Sequence, residues 1–442
     1  MARRVSPPSR EELVAIARAA VAAVDGEALV RAAVVARAPA RRRTRVWAIG
    51  KASVAMARGA VAALGAAVDG GIVVGRAPLP PREALGLPPS VRVLAGAHPI
   101  PDERSAAAAR ALLDEARAAR DGDEALVLLS GGASAIVGAP VAAPAGGLGD
   151  DALARATRTL LRAGLPIDDI NAVRRHLALV GGGRLAQATR ARLTVLALSD
   201  VVAPDDDEAG GGEQLWSVIG SGPTSADPTT RAEAAAIAAR AGVDEAIVRA
   251  IADGPETAKP GDPALVRVVE RALLATPSTL REAAVAAIAA RDLVPCPRAA
   301  LVTGDAVALA EELARAAAAM SPGEVLVAVG EPTVRVPPSA PPGGRAQHVA
   351  LAAALALARA GTDAVVVALA SDGSDGESPA AGACTDGAMI AEARARGLDP
   401  DGALAACAAH PLLHALGRTL VTDGREPPRT NLTDLFLIAR RA

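Results

Sequence analysis

The sequence predicts an α/β protein of two domains, and three observations carry that prediction. Short runs of β-branched and aliphatic residues alternate with longer alanine-rich stretches of helical period. The chain has 442 residues and is 51% hydrophobic, enough to bury two cores. Polar, glycine-rich segments follow one apolar run after another, which is where ligands sit in sheets of mainly parallel strands.

Taken in order, the first element is a helix after Ser9, which with Glu12 forms a capping box. Strands are expected at "TRVWAIG" (44–50), "GIVVG" (71–75), "VRVLAG" (91–96), "EALVLLS" (124–130) and "RLTVLALSD" (192–200). Helical stretches such as 105–120 and 150–163 lie between most of them. The rhythm returns in "AALVTG" (299–304), "EVLVAVG" (324–330), "DAVVVALA" (363–370) and "DLFLIA" (434–439). The Pro/Gly-rich "ADGPETAKPGDP" (252–263) is the best boundary, giving domains 1–262 and 263–442. "VRVPPSAPPGGR" (334–345) reads as a flap, and "APDDDEAGGGEQ" (203–214) as an exposed acidic loop.

Composition excludes several classes. A net charge of −2 offers no basic face for nucleic acid. Cys296, Cys384 and Cys407 are odd in number and lack C-x-x-C spacing, against a disulfide framework or a structural zinc site. The N-terminal stretch is interrupted by glutamates, unlike a signal peptide, and no run is long enough to span a bilayer. A cytoplasmic protein without membrane contact is the expectation.

Lys51 is one of two lysines, with Lys259, in a chain whose basic charge is otherwise arginine. It follows Gly50 at the end of a predicted strand and the start of a helix. "SGGAS" (130–134) ends another strand, and its backbone N–H groups suit a phosphate or carboxylate; a tight structural turn is the competing reading. "VGGGRLA" (180–186) mimics a dinucleotide fingerprint but follows a helical pattern rather than a strand, against NAD binding. "DDINAVRRHLAL" (168–179) puts Asn171, Arg174 and Arg175 on one side of a helix, where an arginine can fork onto an anion, or simply face solvent. Asp372 and Asp375 in "SDGSDG" are a carboxylate pair suited to Mg²⁺ or an Asx-rich turn. His410 and His414 are one turn apart but lack the glutamate of a zinc-protease motif. "GGRAQH" opens a long helix with Arg345 at its N-terminus.

The ordered set "GKASVAMA", "GAHPIPDERS", "SGGASAI", "DINAVRRHL", "GGRLA", "LSDVV", "SGPTSADP", "TGDA", "GEPTVRV", "GGRAQHVALAAALAL", "SDGSDG", "AAGA" and "TNLTDL" resembles the glycerate 2-kinase family with its C-terminal MOFRL domain. The likeness runs from about residue 10 to 440. It implies a Rossmann-like, doubly wound, mainly parallel sheet in the first domain, a second α/β domain of MOFRL type, and an active site in the cleft between them. It also implies ATP- and Mg²⁺-dependent phosphorylation of the 2-hydroxyl of D-glycerate or a related small hydroxy acid. By resemblance, Lys51, Arg345 and Asp200 are catalytic, and Asp372 and Asp375 bind metal. Substrate or phosphate contacts fall to Ser130, Gly131, Gly132, Ser134, Asn171, Arg174, Gly220, Ser221, Gly222, Thr224, Gly330, Glu331, Gly344, Gln347, Thr430 and Asn431. Asp200 is also a candidate to accept the hydroxyl proton. The expected partners are a hydroxy acid and a nucleotide, and a homodimer is compatible with the family. The chain departs from the family pattern at Ala178, Gly181, Ala346, His348 and Pro379. These changes leave two alternatives: a member that binds its ligands without efficient transfer, or a hydroxypyruvate reductase.

Overall fold

The computed structural model describes residues 6–37, 43–141, 148–201, 212–421 and 428–441. Most of the acidic loop 203–214 lies outside these residues. The chain folds as two compact units: a larger one, Gly26–Leu274 with Pro427–Asn431, and a smaller one, Met1–Asp25 with Ala275–Glu426 and Leu432–Ala442.

The larger unit is built on six strands: β1 (Thr44–Ile49), β2 (Val68–Arg76), β3 (Val91–Gly96), β4 (Glu124–Leu129), β5 (Arg192–Leu198) and β6 (Val268–Ala275). Their order is β3-β2-β1-β4-β5-β6. β1 pairs in parallel with both β2 and β4, and β2/β3 and β4/β5 are parallel too. Such pairing needs crossovers, and the alanine-rich stretches supply them as helices. Trp47, Ile49, Ile72, Val127, Leu129 and Val195 pack in one core with helix α2 (Glu103–Ala118). A second core is mostly helical, with Leu160, Ile170, Val173, Leu177, Ile247 and Ile251 among its members.

The smaller unit has a mixed sheet, where the sequence pattern had pointed to mainly parallel strands throughout. Its strands are β7 (Val294–Pro297), β8 (Glu324–Gly330), β9 (Ala364–Ala370), β10 (Gly382–Asp386), β11 (Thr419–Leu420) and β12 (Asp434–Arg440), in the order β11-β10-β9-β12-β8-β7. β12 runs antiparallel to both β8 and β9, so apolar runs alone did not reveal direction. The predicted strand 299–304 reduces to a single bridge, Val302 to Gly330. β6, β7, β10 and β11 were not expected; β6 and β7 are only half covered and carry polar or proline residues.

The domain boundary also moves. It falls at 274/275 rather than 262, because β6 lies beyond the Pro/Gly segment yet joins the first sheet. The N-terminal helix α1 (Arg10–Ala23) belongs to the smaller unit, burying Leu13, Ile16, Ala17 and Ala20. Ser9 Oγ accepts the Glu12 N–H at 3.1 Å, the serine half of the expected capping box. No helix among the described residues is long and apolar enough to cross a membrane.

Candidate functional site

Strand order in the larger sheet reverses between β1 and β4, which is the point where open parallel sheets bind ligands beyond their carboxyl ends. β1 and β4 are in register, Ile49 opposite Leu129, so Gly50-Lys51 and Ser130-Gly131-Gly132 emerge side by side. The Lys51 N–H donates to Gly131 O at 3.0 Å. Ser130 Oγ accepts the Ala52 N–H at 3.1 Å and donates to Ile49 O at 3.4 Å. Ser130 is fully buried, and its hydroxyl staples the two turns together.

The two glycines keep two functional groups apart. A Cβ at Gly131 would overlap Asp200 Oδ2 and Asn431 Nδ2, which are themselves hydrogen-bonded at 2.9 Å. Gly132 has φ +82°, and a Cβ there would lie 2.9 Å from His98 Cδ2 and 3.3 Å from Lys51 Cγ. Glycine is needed at 132 both for backbone and for space. Asp200 and Asn431 thus flank one glycine, and His98 and Lys51 the other.

Next to the diglycine, Gly220, Ser221 and Gly222 take φ of 61°, 63° and 62° in succession. A left-handed conformation at a serine costs about 1–2 kcal/mol, so packing must hold it there. Ser221 Oγ and Ser134 Oγ are 2.8 Å apart. The same turn packs against helix α3 (Ile167–Leu177). Thr224 is buried, and its hydroxyl has no hydrogen-bond partner among the described residues.

α3 carries Asp168 and Asp169 in its first turn and Arg174, Arg175 and His176 in its last, complementing its dipole. Arg174 makes no hydrogen bond or ion pair among the described residues, and burial alone pushes its pKa down. Asn171, one turn earlier, is 8% exposed. Arg175 does not join them: its Nε lies 3.0 Å from Asp227 Oδ1, whose side chain is fully buried. Arg184 donates to the carbonyls of Arg175, His176, Ala178 and Pro255, closing the helix C-terminus. The second lysine, Lys259, lies 2.9 Å from Glu256, whose Oε1 is 3.0 Å from His176 Nε2. Lys259 is therefore part of the support behind α3. The amides of Gly182 and Gly183 are taken by Ser221 O at 2.9 Å and Gly222 O at 2.7 Å, leaving the "VGGGRLA" turn no exposed pyrophosphate cradle there.

In the smaller unit, Asp434 opens β12 opposite Gly330 of β8 and Ala370 of β9. Arg345 begins helix α4 (Arg345–Ala360); its Nε lies 2.6 Å from Asp434 and its Nη2 2.7 Å from Glu331. Burial opposes the Arg345 charge, but Asp434 and Glu331 outweigh it and raise its pKa. Burial pushes the Asp434 carboxyl upward, against the pull of Arg345. Asp375 caps α4: Oδ1 accepts the Ala346 N–H at 3.0 Å and Oδ2 the Gln347 N–H at 2.8 Å. Gln347 Nε2 adds a third donor to Asp375 at 2.9 Å, while Gln347 Oε1 meets His410 Nδ1 at 2.8 Å. Gly330 and Gly344 are close-approach glycines, since a Cβ would strike the Val302 backbone or Asp375.

A family model described as a domain of unknown function (DUF4147) matches residues 12–253, and a MOFRL family model matches residues 324–434. A protein of Agrobacterium vitis named putative hydroxypyruvate reductase is 35% identical over 97% of this chain and 94% of its own length. The D-glycerate 2-kinase of Thermotoga maritima is 30% identical over 89% of this chain and 90% of its own. The crystal structure of glycerate kinase from Thermotoga maritima superposes with a TM-score of 0.81 at 27% identity, covering 98% of this chain and 99% of that one. The chain belongs to the glycerate 2-kinase family.

Within that family framework the structure redistributes the predicted site residues. In the larger unit it gathers Lys51, Gly131, Gly132, Ser134, Asp200, Gly220, Ser221, Gly222 and Asn431 around the strand switch, with α3 packed beside them. Thr430, 1% exposed, precedes Asn431 and belongs to that unit. In the smaller unit it gathers Gly330, Glu331, Gly344, Arg345, Gln347 and Asp375. Of the expected metal pair Asp372 and Asp375, both Asp375 oxygens accept helix N–H groups. Asp372 Oδ1 accepts the Ser374 N–H at 3.0 Å in an Asx turn. Among the described residues no three His, Cys, Asp or Glu side chains group as metal ligands. Sequence reasoning missed His98 and Asp434. The first stood in a quoted motif without a role. The second was a charged residue opening an otherwise apolar strand, which is itself a signal.

Proposed function

We propose that the protein transfers the γ-phosphoryl group of ATP to the 2-hydroxyl of D-glycerate or a closely related 2-hydroxy acid. The observation that carries this reading is the strand switch point, where Lys51 lies beside the Gly131-Gly132 turn and α3 carries an unpaired Arg174. Phosphoryl transfer asks a protein for positioning and charge stabilisation rather than covalent chemistry. Lys51, as a compact ammonium, neutralises charge on the transferring group. Arg174 forks onto the substrate carboxylate, and Asn171 orients it. Ser134 and Ser221 supply hydroxyl donors. The resemblance also assigns a part to Arg345, which its own variant tests.

The residues present fit a magnesium ion that rides on the nucleotide phosphates better than one caged by protein. Asp200, in the unit that carries Lys51 and the diglycine, would offer one carboxylate, and Mg²⁺ asks for one or two with water and phosphate completing its shell. Bound with ATP, the ion would supply neutralisation of phosphate charge.

ADP release that requires both D-glycerate and Mg²⁺-ATP, with 2-phosphoglycerate as product by ³¹P NMR, is the expected result. ATP binding without acid-dependent turnover across a panel of hydroxy acids would instead favour a binding protein. The reductase reading draws on the printed name of the Agrobacterium vitis relative. Against it, the turn after β1 reads Ile49-Gly50-Lys51-Ala52-Ser53, where a dinucleotide fold places G-x-G-x-x-G. Oxidation of NADH by hydroxypyruvate would reverse that judgement.

A further inference from the structure

We infer that His98 is the general base of the transfer, the group that takes the proton of the attacking hydroxyl. This deepens the kinase reading and rests on it. His98 follows β3 by two residues, at the carboxyl end of the same parallel sheet that carries Lys51 and the diglycine. Its ring occupies the space that a side chain at position 132 would need: a Cβ there would lie 2.9 Å from His98 Cδ2 and 3.3 Å from Nε2. The Lys51 side chain borders the same space, its Cγ 3.3 Å from that point. The His98 imidazole and the Lys51 side-chain stem therefore border the same space at Gly132, which puts a proton acceptor and a cationic side chain on one side of the diglycine.

The other candidate base is Asp200, across the diglycine. Its Oδ2 already accepts the Asn431 amide at 2.9 Å, so one carboxylate oxygen is engaged within the protein. A base works best when its ordinary pKa is near the working pH, which favours imidazole over carboxylate. In the step, one ring nitrogen of neutral His98 accepts the 2-hydroxyl proton as the hydroxyl oxygen bonds to the γ-phosphorus of ATP. The bond from that phosphorus to the β–γ bridging oxygen breaks, and its electron pair leaves with ADP. The imidazolium then returns its proton to solvent.

The test compares wild type, His98→Asn, His98→Ala and Asp200→Asn by steady-state kinetics over pH 5–9, with D-glycerate binding measured by calorimetry. Lys51 on the His98 side of the diglycine and Asp200 on the other are the charged groups that bear on the profile. The expected result is a kcat loss of about 10²–10⁴-fold in both His98 variants. D-glycerate affinity should stay within about threefold, the acidic limb of kcat/KM should vanish, and added imidazole should partly restore His98→Ala. Asp200→Asn should keep the acidic limb. An acidic limb retained in His98→Asn, a loss confined to KM, or a limb abolished only in Asp200→Asn would overturn the assignment. If one His98 variant fails to fold, the other is scored by the same criteria, and unfolding of both would show a structural role and overturn it. Wild type without glycerate-dependent ADP release is a different outcome, because it removes the kinase reading itself.

Discussion

Two arginines were read from the sequence as anion binders, and their surroundings are opposite. Arg345 is clamped by Asp434 at 2.6 Å and Glu331 at 2.7 Å, and Asp375 caps the helix that Arg345 opens. Arg174 has no partner among the described residues, and burial works against its charge. A guanidinium held by two carboxylates has its charge balanced already. One that is desolvated and unpaired gains most from an incoming anion. The difference teaches that an arginine at a loop-to-helix junction is not by itself a binding group; its neighbours decide.

The largest expected effect tests the cationic side of that comparison. Lys51→Ala should lower kcat/KM about 10²–10³-fold, taking the loss of one charge-stabilising donor as a guide. Lys51→Arg should fail to restore it, because a planar fork does not replace a compact ammonium. Steady-state ADP release measures both.

Arg174→Ala and Arg345→Ala should then separate cleanly. The first should weaken D-glycerate binding by about 10–100-fold by calorimetry, in line with losing a charged hydrogen bond of about 1.5–3 kcal/mol. Its thermal midpoint should hold or rise. The second should leave Asp434 buried without its counter-ion and destabilise the fold by about 1–3 kcal/mol in urea titration, the half-exposed guanidinium tempering the larger penalty of a fully buried pair. Asp434→Asn combined with Arg345→Ala should recover part of that loss. Equal stability losses in both single variants would break the comparison.

Gly132→Ala sharpens it from the backbone side. A φ of +82° and a Cβ 2.9 Å from His98 predict a destabilisation of about 1–2 kcal/mol, by thermal unfolding, together with reduced turnover.

The smallest effect concerns the support behind α3. Burial pulls the Glu256 carboxyl upward, but Lys259 and the Arg231 and Thr257 N–H groups outweigh it and hold it at about 2. Since this lies below the ordinary value of about 4.3, its stabilising contribution is full above that pH and fades as pH falls toward 2. The urea midpoint of Glu256→Gln should therefore fall less than that of wild type between pH 5 and 3.

Much of the larger unit was legible in its residues. Five of its strands were expected, and glycine-rich turns after them marked Lys51 and the diglycine, because parallel sheets concentrate ligand groups at one end. β6 was not legible, because its strand is only partly covered and shows no clean apolar period. In the smaller unit, the apolar run of β12 announced a buried strand but not its antiparallel direction, since both faces are covered either way.

The sequence by itself determined the alternation of strands and helices, the family, and the set of polar turns that bear chemistry. These are local properties: periodicity, glycine placement, and motif order. Only the tertiary structure decided that Ser130 is a staple, that Asp375 is a helix cap, and that Arg175 faces Asp227 while Arg174 stands unpaired. It also brought His98 to Gly132. A side chain's charge and hydrogen-bonding capacity are set by its identity, but whether they are spent inside the protein or left for a ligand depends on neighbours distant in the chain.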